Sequence, residues 1–247
     1  MANINDTYFD GYYKELWRNI IPPVLTEKEI DFIIPYFNLE PGSKVMDIMC
    51  GYGRHAIALA KKGLLVNAVD NQEGYINEIN KTAVAENLAI KTTCTNLLGY
   101  KPDDVFDLAI CMGNSLNFFD VDDCGKILKN IETCLKPGGH LLIHSWSIAE
   151  IIYKSFVEKT WTTINGYKLL TDAKIQFQPA RMEAETTIIA PDGNTEVKKA
   201  IDYIYSLNEM ESLLRQAGLV VKEIFSIPGR KKFTTGEPRA YMIAEKR

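Results

Sequence analysis

Residues 45–54, VMDIMCGYGR, decide how this 247-residue chain folds. A short apolar run carries one acid, Asp47, and leads three residues later into Cys50-Gly51-Tyr52-Gly53, with a helical segment over residues 55–62 directly after. An apolar strand that enters a glycine turn opening a helix is how α/β proteins hold a nucleotide-like ligand. Glycine lets the backbone come close, and the helix N-terminus offers unpaired N–H groups. Asp47 selects among such ligands: a carboxylate at the end of the first strand repels a pyrophosphate but suits the ammonium group of a sulfonium amino acid. The dinucleotide fingerprint is also incomplete, because Ala56 stands where its third glycine belongs. The stretch reads as a site for S-adenosylmethionine.

Outward from that turn, strand and helix alternate. Residues 44–49 read as a first strand, 64–69 as a second ending in Asp70, 90–94 as a third, 105–112 as a fourth and 140–146 as a fifth. Helical patterns lie between them: the first runs to Lys62 with Gly63 as its C-cap, followed by 74–87 and by 121–135, closed by Lys136-Pro137-Gly138-Gly139. Short apolar strands separated by helices predict a parallel sheet covered on both faces. Upstream, Tyr8, Phe9, Tyr12, Tyr13, Leu16, Trp17 and Ile20 keep helical spacing until Pro22-Pro23. A second helix is expected to start at Thr26 as N-cap, with Glu29 completing a capping box.

After a helix over 148–157 the rhythm changes. Asn165-Gly166, Gln178-Pro179 and Pro191-Asp192-Gly193-Asn194 mark turns, and residues 181–189 and 197–205 alternate apolar and polar side chains. Asn-Gly suits a two-residue hairpin, whose central positions both need φ > 0. An antiparallel sheet is therefore expected between about residues 160 and 205. The parent pattern returns with a helix over 207–216, Gly218, a strand over 219–226 and a last strand over 239–245. The chain thus divides into a helical cap (1–43), a core (44–159 and 206–247) and an inserted β lid (160–205).

Composition narrows the class. Charged residues make up 24% and the hydrophobic set 46%, an ordinary balance for a globular protein. A net charge of −4 argues against nucleic acid, which demands clustered Lys and Arg, and Arg230-Lys231-Lys232 reads as a solvated loop. Five cysteines without a CxxC pair, or a His at ligand spacing, predict neither a metal site nor a disulfide framework. No apolar run approaches a membrane span and the N-terminus is polar, so no membrane partner is expected and the location is read as cytoplasmic.

With these segments placed, the chain resembles the class I S-adenosylmethionine-dependent methyltransferases over residues 45–146 and 207–246. The resemblance rests on Asp47-Ile48-Met49-Cys50-Gly51-Tyr52-Gly53-Arg54, on Asp70 ending strand two, and on Leu135-Lys136-Pro137-Gly138-Gly139 before strand five. It implies a doubly wound, seven-stranded, mostly parallel Rossmann-like sheet in the order 3-2-1-4-5-7-6, the last strand antiparallel. The small-molecule members with CGxGRH in the first loop and a β insertion after strand five are the most similar. Two departures matter. Asn96 stands where an acid is frequent after strand three, and its side-chain carbonyl still suits an adenine amino group. Strand four ends in Cys111-Met112-Gly113-Asn114-Ser115-Leu116-Asn117-Phe118-Phe119, without the Asn/Asp-Pro-Pro-Tyr of enzymes that methylate exocyclic base or amide nitrogens.

Cofactor contacts are expected from Asp47 at the methionine end and from Cys50, Gly51 and Gly53 in the turn. Asp70 is expected to accept from two ribose hydroxyls with Asn71 beside it, while Asn96 and Leu97 flank the adenine and Met112 lines the cleft. By its position Asp47 is expected to lie too far before residue 54 to cap the next helix. Arg54 opposes the helix dipole unless it meets an acid, either the cofactor's carboxylate or one of the protein's own; His55 reads as packed and hydrogen-bonded. In the resembling subgroup the N-terminal segment folds over the pocket, so Tyr13 or Trp17 is expected over the sulfonium. On the substrate side stand Asn114, Phe118, Trp146, Tyr203 and Tyr205. His144 is the candidate general base, with a satisfied rim histidine as the alternative.

Methyl transfer from a sulfonium is an in-line displacement with a neutral leaving group, so alignment and exclusion of water are the main tasks. The expected reaction is transfer to a small-molecule N, O or S nucleophile, with a homodimer left open. Two other classes compete. A cofactor-binding or dimerising module without catalysis is opposed by the intact Asp47, Gly51, Gly53 and Asp70 set. A nicotinamide oxidoreductase would need glycine at position 56 and a hydride-transfer constellation, and the sequence has neither.

Overall fold

A 3-10 turn at Ile4–Thr7 opens the computed structural model, which describes residues 3–247. The Asn3 side chain accepts the Asn5 N–H and the Asp6 carboxylate accepts the Asn3 N–H, so the turn is capped from both sides. Helix α1 (Gly11–Ile20) follows, and then α2 (Pro23–Tyr36). Helix α2 starts before the expected Thr26, because Pro23 takes its first turn, where a missing N–H costs nothing. Thr26 and Glu29, read as a capping box, are instead buried inside the helix.

The core alternates as the apolar runs require: β1 (Lys44–Ile48), α3 (Arg54–Lys61), β2 (Leu65–Asp70), α4 (Glu73–Ala85), β3 (Ile90–Cys94), β4 (Phe106–Cys111), α5 (Val121–Cys134) and β5 (Leu135–Ser145). Strand β5 begins at Leu135, directly after the helix. Leu135 pairs with Phe106, residues 136–139 bulge, and His140 regains register opposite Leu108. Helix α6 (Ala149–Ser155) leads into a four-stranded antiparallel meander, β6 (Lys159–Ile164), β7 (Tyr167–Phe177), β8 (Ala180–Ile189) and β9 (Thr195–Tyr203). Asn165 and Gly166, at φ 48° and 83°, make the two-residue turn between β6 and β7. Helix α7 (Leu207–Ala217) ends at Gly218, and β10 (Leu219–Ile227), β11 (Lys231–Lys232) and β12 (Ala240–Lys246) complete the chain.

The main sheet runs β3-β2-β1-β4-β5-β12-β10-β11. Its first seven strands follow the order 3-2-1-4-5-7-6, with β12 antiparallel to both neighbours. The short eighth strand departs from the sequence reading: Lys231 and Lys232 stay exposed but pair with the end of β10 rather than forming a loop.

Alternation along β1 sorts the two cores. Val45 faces Ile33 of α2, Leu59 of α3 and Ile79 of α4, while Met46 and Ile48 face Leu128 of α5 and Leu214 of α7. Asp47 shares the face of Val45, toward the start of α3. Helix α1 belongs to neither core. Its Leu16, wholly buried, packs against Leu169 of β7 and Ile188 of β8, and the Tyr12 ring meets Tyr167. The meander thereby holds the N-terminal segment over the C-terminal ends of the core strands, where doubly wound folds bind their ligands.

Candidate active site

Those strand ends open into a cleft of about 990 Å³ counted with its mouth, a size suited to a small molecule. Asp47, Cys50, Gly51, Arg54, Asp70 and Asn71 line it, as do Asn96, Leu97, Met112, Trp17 and Phe118. The other singled-out residues, Tyr13, Gly53, Asn114, His144, Trp146, Tyr203 and Tyr205, stand outside that lining.

Asp47 is only 1% exposed, and its Oδ2 accepts the Ala56 N–H at 3.0 Å. It does cap α3, against the expectation from its position in the chain. The turn folds back through φ > 0 at Met49, Gly51 and Gly53 and sets the third residue of α3 over the end of β1. Burial pushes the Asp47 carboxyl up to about 7, against the pull of Arg54 and of the Ala56 N–H. Such an acid, buried with its charge only partly answered, suits a cationic group.

The two glycines of the turn differ in purpose. At Gly51 (φ 55°) nothing lies within 4 Å of the place a Cβ would occupy, so a side chain there would project into the open cleft. At Gly53 (φ 76°) a Cβ would meet Ile79 Cγ1 at 2.6 Å. Gly53 therefore serves the packing of α4 against the turn and not, as read from the sequence, the approach of ligand. Gly53→Ala is expected to cost about 2–4 kcal/mol, combining left-handed strain with overpacking. An unchanged urea midpoint would refute that role.

Asp70 braces the same turn. Its Oδ2 accepts the Gly51 N–H at 2.8 Å and its Oδ1 the Gln72 N–H at 2.9 Å, and each oxygen keeps a further lone pair for a hydroxyl donor. Burial raises its pKa while those N–H bonds oppose the rise. Asn71 donates to the Asp6 carboxylate at 2.7 Å and Gln72 to the Asp6 carbonyl at 2.5 Å, which straps the N-terminal turn to the cleft. The Asn96 Oδ1 accepts the Leu98 N–H at 2.9 Å, so this side chain caps its loop.

Arg54 finds its acid within the protein. Its Nη1 donates to Glu29 Oε2 at 2.5 Å and to Thr26 Oγ1 at 2.9 Å; His55 Nε2 meets the same Oε2 at 2.9 Å, and the Tyr241 hydroxyl donates to Oε1 at 2.8 Å. Burial opposes the charge on Glu29, but His55 and Arg54 prevail and hold its carboxyl well below the usual range. Burial and the neighbouring guanidinium push His55 down to about 4, so a neutral imidazole donates to Glu29.

The substrate-side reading needs revision. His144 stacks on Tyr241 at 4.3 Å, its Nδ1 takes the Gly113 N–H at 3.4 Å, and its buried Nε2 has no partner among the described residues. Burial pushes it down to about 3. A ring sealed in the core at 4% exposure, where burial disfavours a proton, is no general base. Asn114, fully buried, is a fastener: its Oδ1 accepts from the Ser145 hydroxyl and from the Trp146 and Ser147 N–H groups, and its Nδ2 donates to Ser147 Oγ and Asp202 Oδ1. Tyr205 donates its hydroxyl to the Phe119 carbonyl, and Tyr203 packs on the same α5–α7 core. Trp146 lies half-buried against Trp17 at 6.0 Å, and Tyr13 stacks behind Trp17 at 6.1 Å. Of the two cap aromatics, Trp17 reaches the cleft.

Asn3, Asn5, Asp6 and Phe9 also line the cleft, and sequence reasoning passed over all four as site residues. Asn5 exchanges two 2.9 Å hydrogen bonds with the backbone of Ile201 in β9. The Asn3–Asp6 capping-box spacing signals an ordered turn, but nothing local announces a partner nearly two hundred residues away.

A doubly wound sheet with paired acids and a bare glycine at its switch point defines a nucleoside-binding α/β enzyme fold. Residues 45–139 match the family model described as a methyltransferase domain. The ubiquinone biosynthesis O-methyltransferase of Coxiella burnetii is 34% identical over 168 residues, covering 58% of this chain and 70% of that protein. Among solved structures, a S-adenosylmethionine-dependent methyltransferase from Clostridium acetobutylicum superimposes with a TM-score of 0.82 at 19% identity, over 95% of this chain and 96% of that one. The CcbJ methyltransferase of Streptomyces caelestis gives 0.84 at 17% identity, over 99% and 98%. The chain belongs to the methyltransferase-domain family and is a class I S-adenosylmethionine-dependent methyltransferase. Its residues fit that cofactor: a buried acid for the ammonium, free lone pairs for the ribose, and open space over Gly51. Among the described residues no helix is long and apolar enough to cross a membrane, and no cluster of His, Cys, Asp or Glu is placed to hold a metal.

Proposed function

We propose that this enzyme methylates a nitrogen, oxygen or sulfur atom of a small molecule by in-line displacement. The observation that carries the reading is the pair of buried acids, Asp47 and Asp70, on either side of the uncovered Gly51. Asp47 would hold the ammonium end of the cofactor, Asp70 its ribose hydroxyls, and Asn96 and Leu97 its adenine, with Cys50, Asn71 and Met112 as walls and Trp17 near the sulfonium. Bound there, the cofactor supplies a methyl group on a positively charged sulfur. The chain's own work is to orient the acceptor and exclude water.

Residues 1–43 act as a cap, 160–205 as a lid and the remainder as the core in this reading. Support comes from the stitching of cap to meander by Asn5 and Ile201, and by Lys198, whose Nζ donates to the Thr7 carbonyl and pairs with Asp10. Deleting the meander would therefore release the cap as well, and point variants are the sharper test.

Calorimetry with S-adenosylhomocysteine and NAD, and a release assay for S-adenosylhomocysteine across amines, phenols, acids and thiols, test the proposal. Binding of the first ligand alone is expected. Asp70→Ala should weaken it by about 100-fold, as two hydrogen bonds to a charged group of about 1.5 kcal/mol each are lost. Heat with NAD alone, or unaltered affinity in Asp70→Ala, would overturn the assignment. Tight binding with no product from any acceptor would leave the non-catalytic module standing.

A further inference from the structure

Strand β9 alternates, so Lys198, Ala200 and Asp202 share the face turned to the N-terminal segment while Tyr203 points to the opposite core. Asp202 makes one side-chain hydrogen bond among the described residues, accepting from Asn114 Nδ2 at 3.3 Å on Oδ1. Its other oxygen has none, and both cations on its own strand are engaged elsewhere, Lys198 by Asp10 and Glu196 and Lys199 by Glu185. Asn114 and Asp202 stand just behind the cleft lining, Asn114 between Gly113 and Ser115, which both belong to it.

Two phenol rings, Tyr8 and Tyr13, lie close enough to this acid to feel its charge, and they lead by ring contacts to the cleft wall. Trp17, in the cleft wall, stacks on Tyr13 and faces Trp146, and Tyr13 packs on Tyr8 at 4.4 Å. All four rings and Asp202 are half-buried, neither sealed in the core nor free in solvent. Burial is the main reason both phenols ionise less readily, and the nearby Asp202 charge adds to it. A carboxylate without a counter-cation, beside two phenols whose ring contacts run on through Trp17 to Trp146, is the chemistry that receives a cation.

We propose that the methyl acceptor is an amine, received as an ammonium ion by Asp202 beside Tyr13, Trp17 and Trp146, and that Asp202 removes its proton before methylation. This rests on the methyltransferase reading above and names the acceptor that the reading leaves open. The N–H bond breaks to an Asp202 oxygen and leaves a lone pair on nitrogen. That pair forms the new N–C bond, the pair of the broken S–C bond stays on sulfur, and the product is a methylated ammonium. Asp202 then releases its proton to water. Burial pushes the Asp202 carboxyl from 3.8 up to about 7. That narrows its distance from an alkylammonium, near 10.4, by about three units, a thousandfold in proton occupancy. The same carboxylate is far too weak a base for an alcohol.

The fluorescence of Trp17 and Trp146, read over the constant emission of the exposed Trp161 and without any methyl donor, provides the test. Benzylamine and glucosamine are titrated against benzyl alcohol and glucose, with wild type, Asp202→Asn and Asp202→Glu, alongside calorimetry with S-adenosylhomocysteine. The amines are expected to quench and their hydroxyl counterparts not. Asp202→Asn should weaken amine binding at least tenfold and lower amine-dependent release of S-adenosylhomocysteine at least 100-fold, with less than twofold change in affinity for that product. Asp202→Glu should keep the amine preference. Equal response to amine and alcohol in wild type overturns the inference without need of any variant, as does undiminished amine binding by Asp202→Asn. A protein that ignores S-adenosylhomocysteine fails the methyltransferase reading itself; one that binds it but prefers a phenol or thiol fails only the amine.

Discussion

Glu29→Ala is expected to destabilise the protein by about 3–5 kcal/mol, the range for removing one partner of a buried ion pair. Glu29 is 2% exposed and holds Arg54, His55 and Tyr241 from α3 and β12 onto α2. Without it the Arg54 guanidinium stays at the N-terminal turn of α3, where the helix dipole disfavours a cation, in the field of Asp47. The freed guanidinium would compete there with the ammonium of an incoming ligand, so affinity for S-adenosylhomocysteine should fall together with stability. Glu29→Gln keeps the shape and one acceptor oxygen but turns the other into an NH2 donor, and should cost about 1–3 kcal/mol. Urea unfolding of both variants decides the matter. A loss under 1 kcal/mol in Glu29→Ala would mean that the cluster is not what holds the cleft floor together.

The misreading of Glu29 shows where sequence runs out. Thr26 and Glu29 carry the spacing of a capping box, yet the same three-residue offset also places two side chains on one face of a helix interior. Only the position of Arg54, from a different element, separates the two meanings, and the helix itself starts a turn earlier, at Pro23. The sheet order came from the resemblance to class I methyltransferases, whereas the alternation of strand and helix was legible because the apolar runs of β1 to β5 are local and strong. Asp47, Asp70 and Gly51 were legible for the same reason, being strand ends and a turn. Parity was harder. Alternation along β9 is plain in the sequence, but which face meets the cap depends on the packing of Leu16, which brings Asp202 to the cap side and leaves Tyr203 and Tyr205 in the opposite core. His144 likewise sits at the end of β5 with its ring turned to Tyr241 and away from the cleft. The purpose of Gly53 was hidden because its constraint is a side chain of α4, Ile79.

Asp47→Asn is expected to make the ligand-free protein more stable at pH 8 while weakening S-adenosylhomocysteine binding by about 100-fold. The folded carboxyl titrates at about 7, above its unfolded value near 3.9. Above pH 7 the folded state therefore carries a charge that burial penalises. As pH falls from 7 toward 3.9 the folded state takes up a proton that the unfolded state does not, and the penalty is relieved at about 1.4 kcal/mol per pH unit. The asparagine variant carries no charge at any pH and keeps an oxygen for the Ala56 N–H. Its advantage over wild type should thus be close to nil at pH 4, grow through pH 5 and 6, and reach a few kcal/mol at pH 8. His55 and His144, held neutral in the fold, titrate alike in both proteins, so the difference at each pH isolates position 47. A residue that weakens the empty protein and is retained for its ligand is the signature of a binding group under electrostatic strain. Unfolding midpoints at pH 5 and pH 8, with calorimetry at pH 8, read both effects. Lower stability of Asp47→Asn at pH 8, or wild-type affinity in that variant, would show that the carboxylate caps α3 and does nothing more.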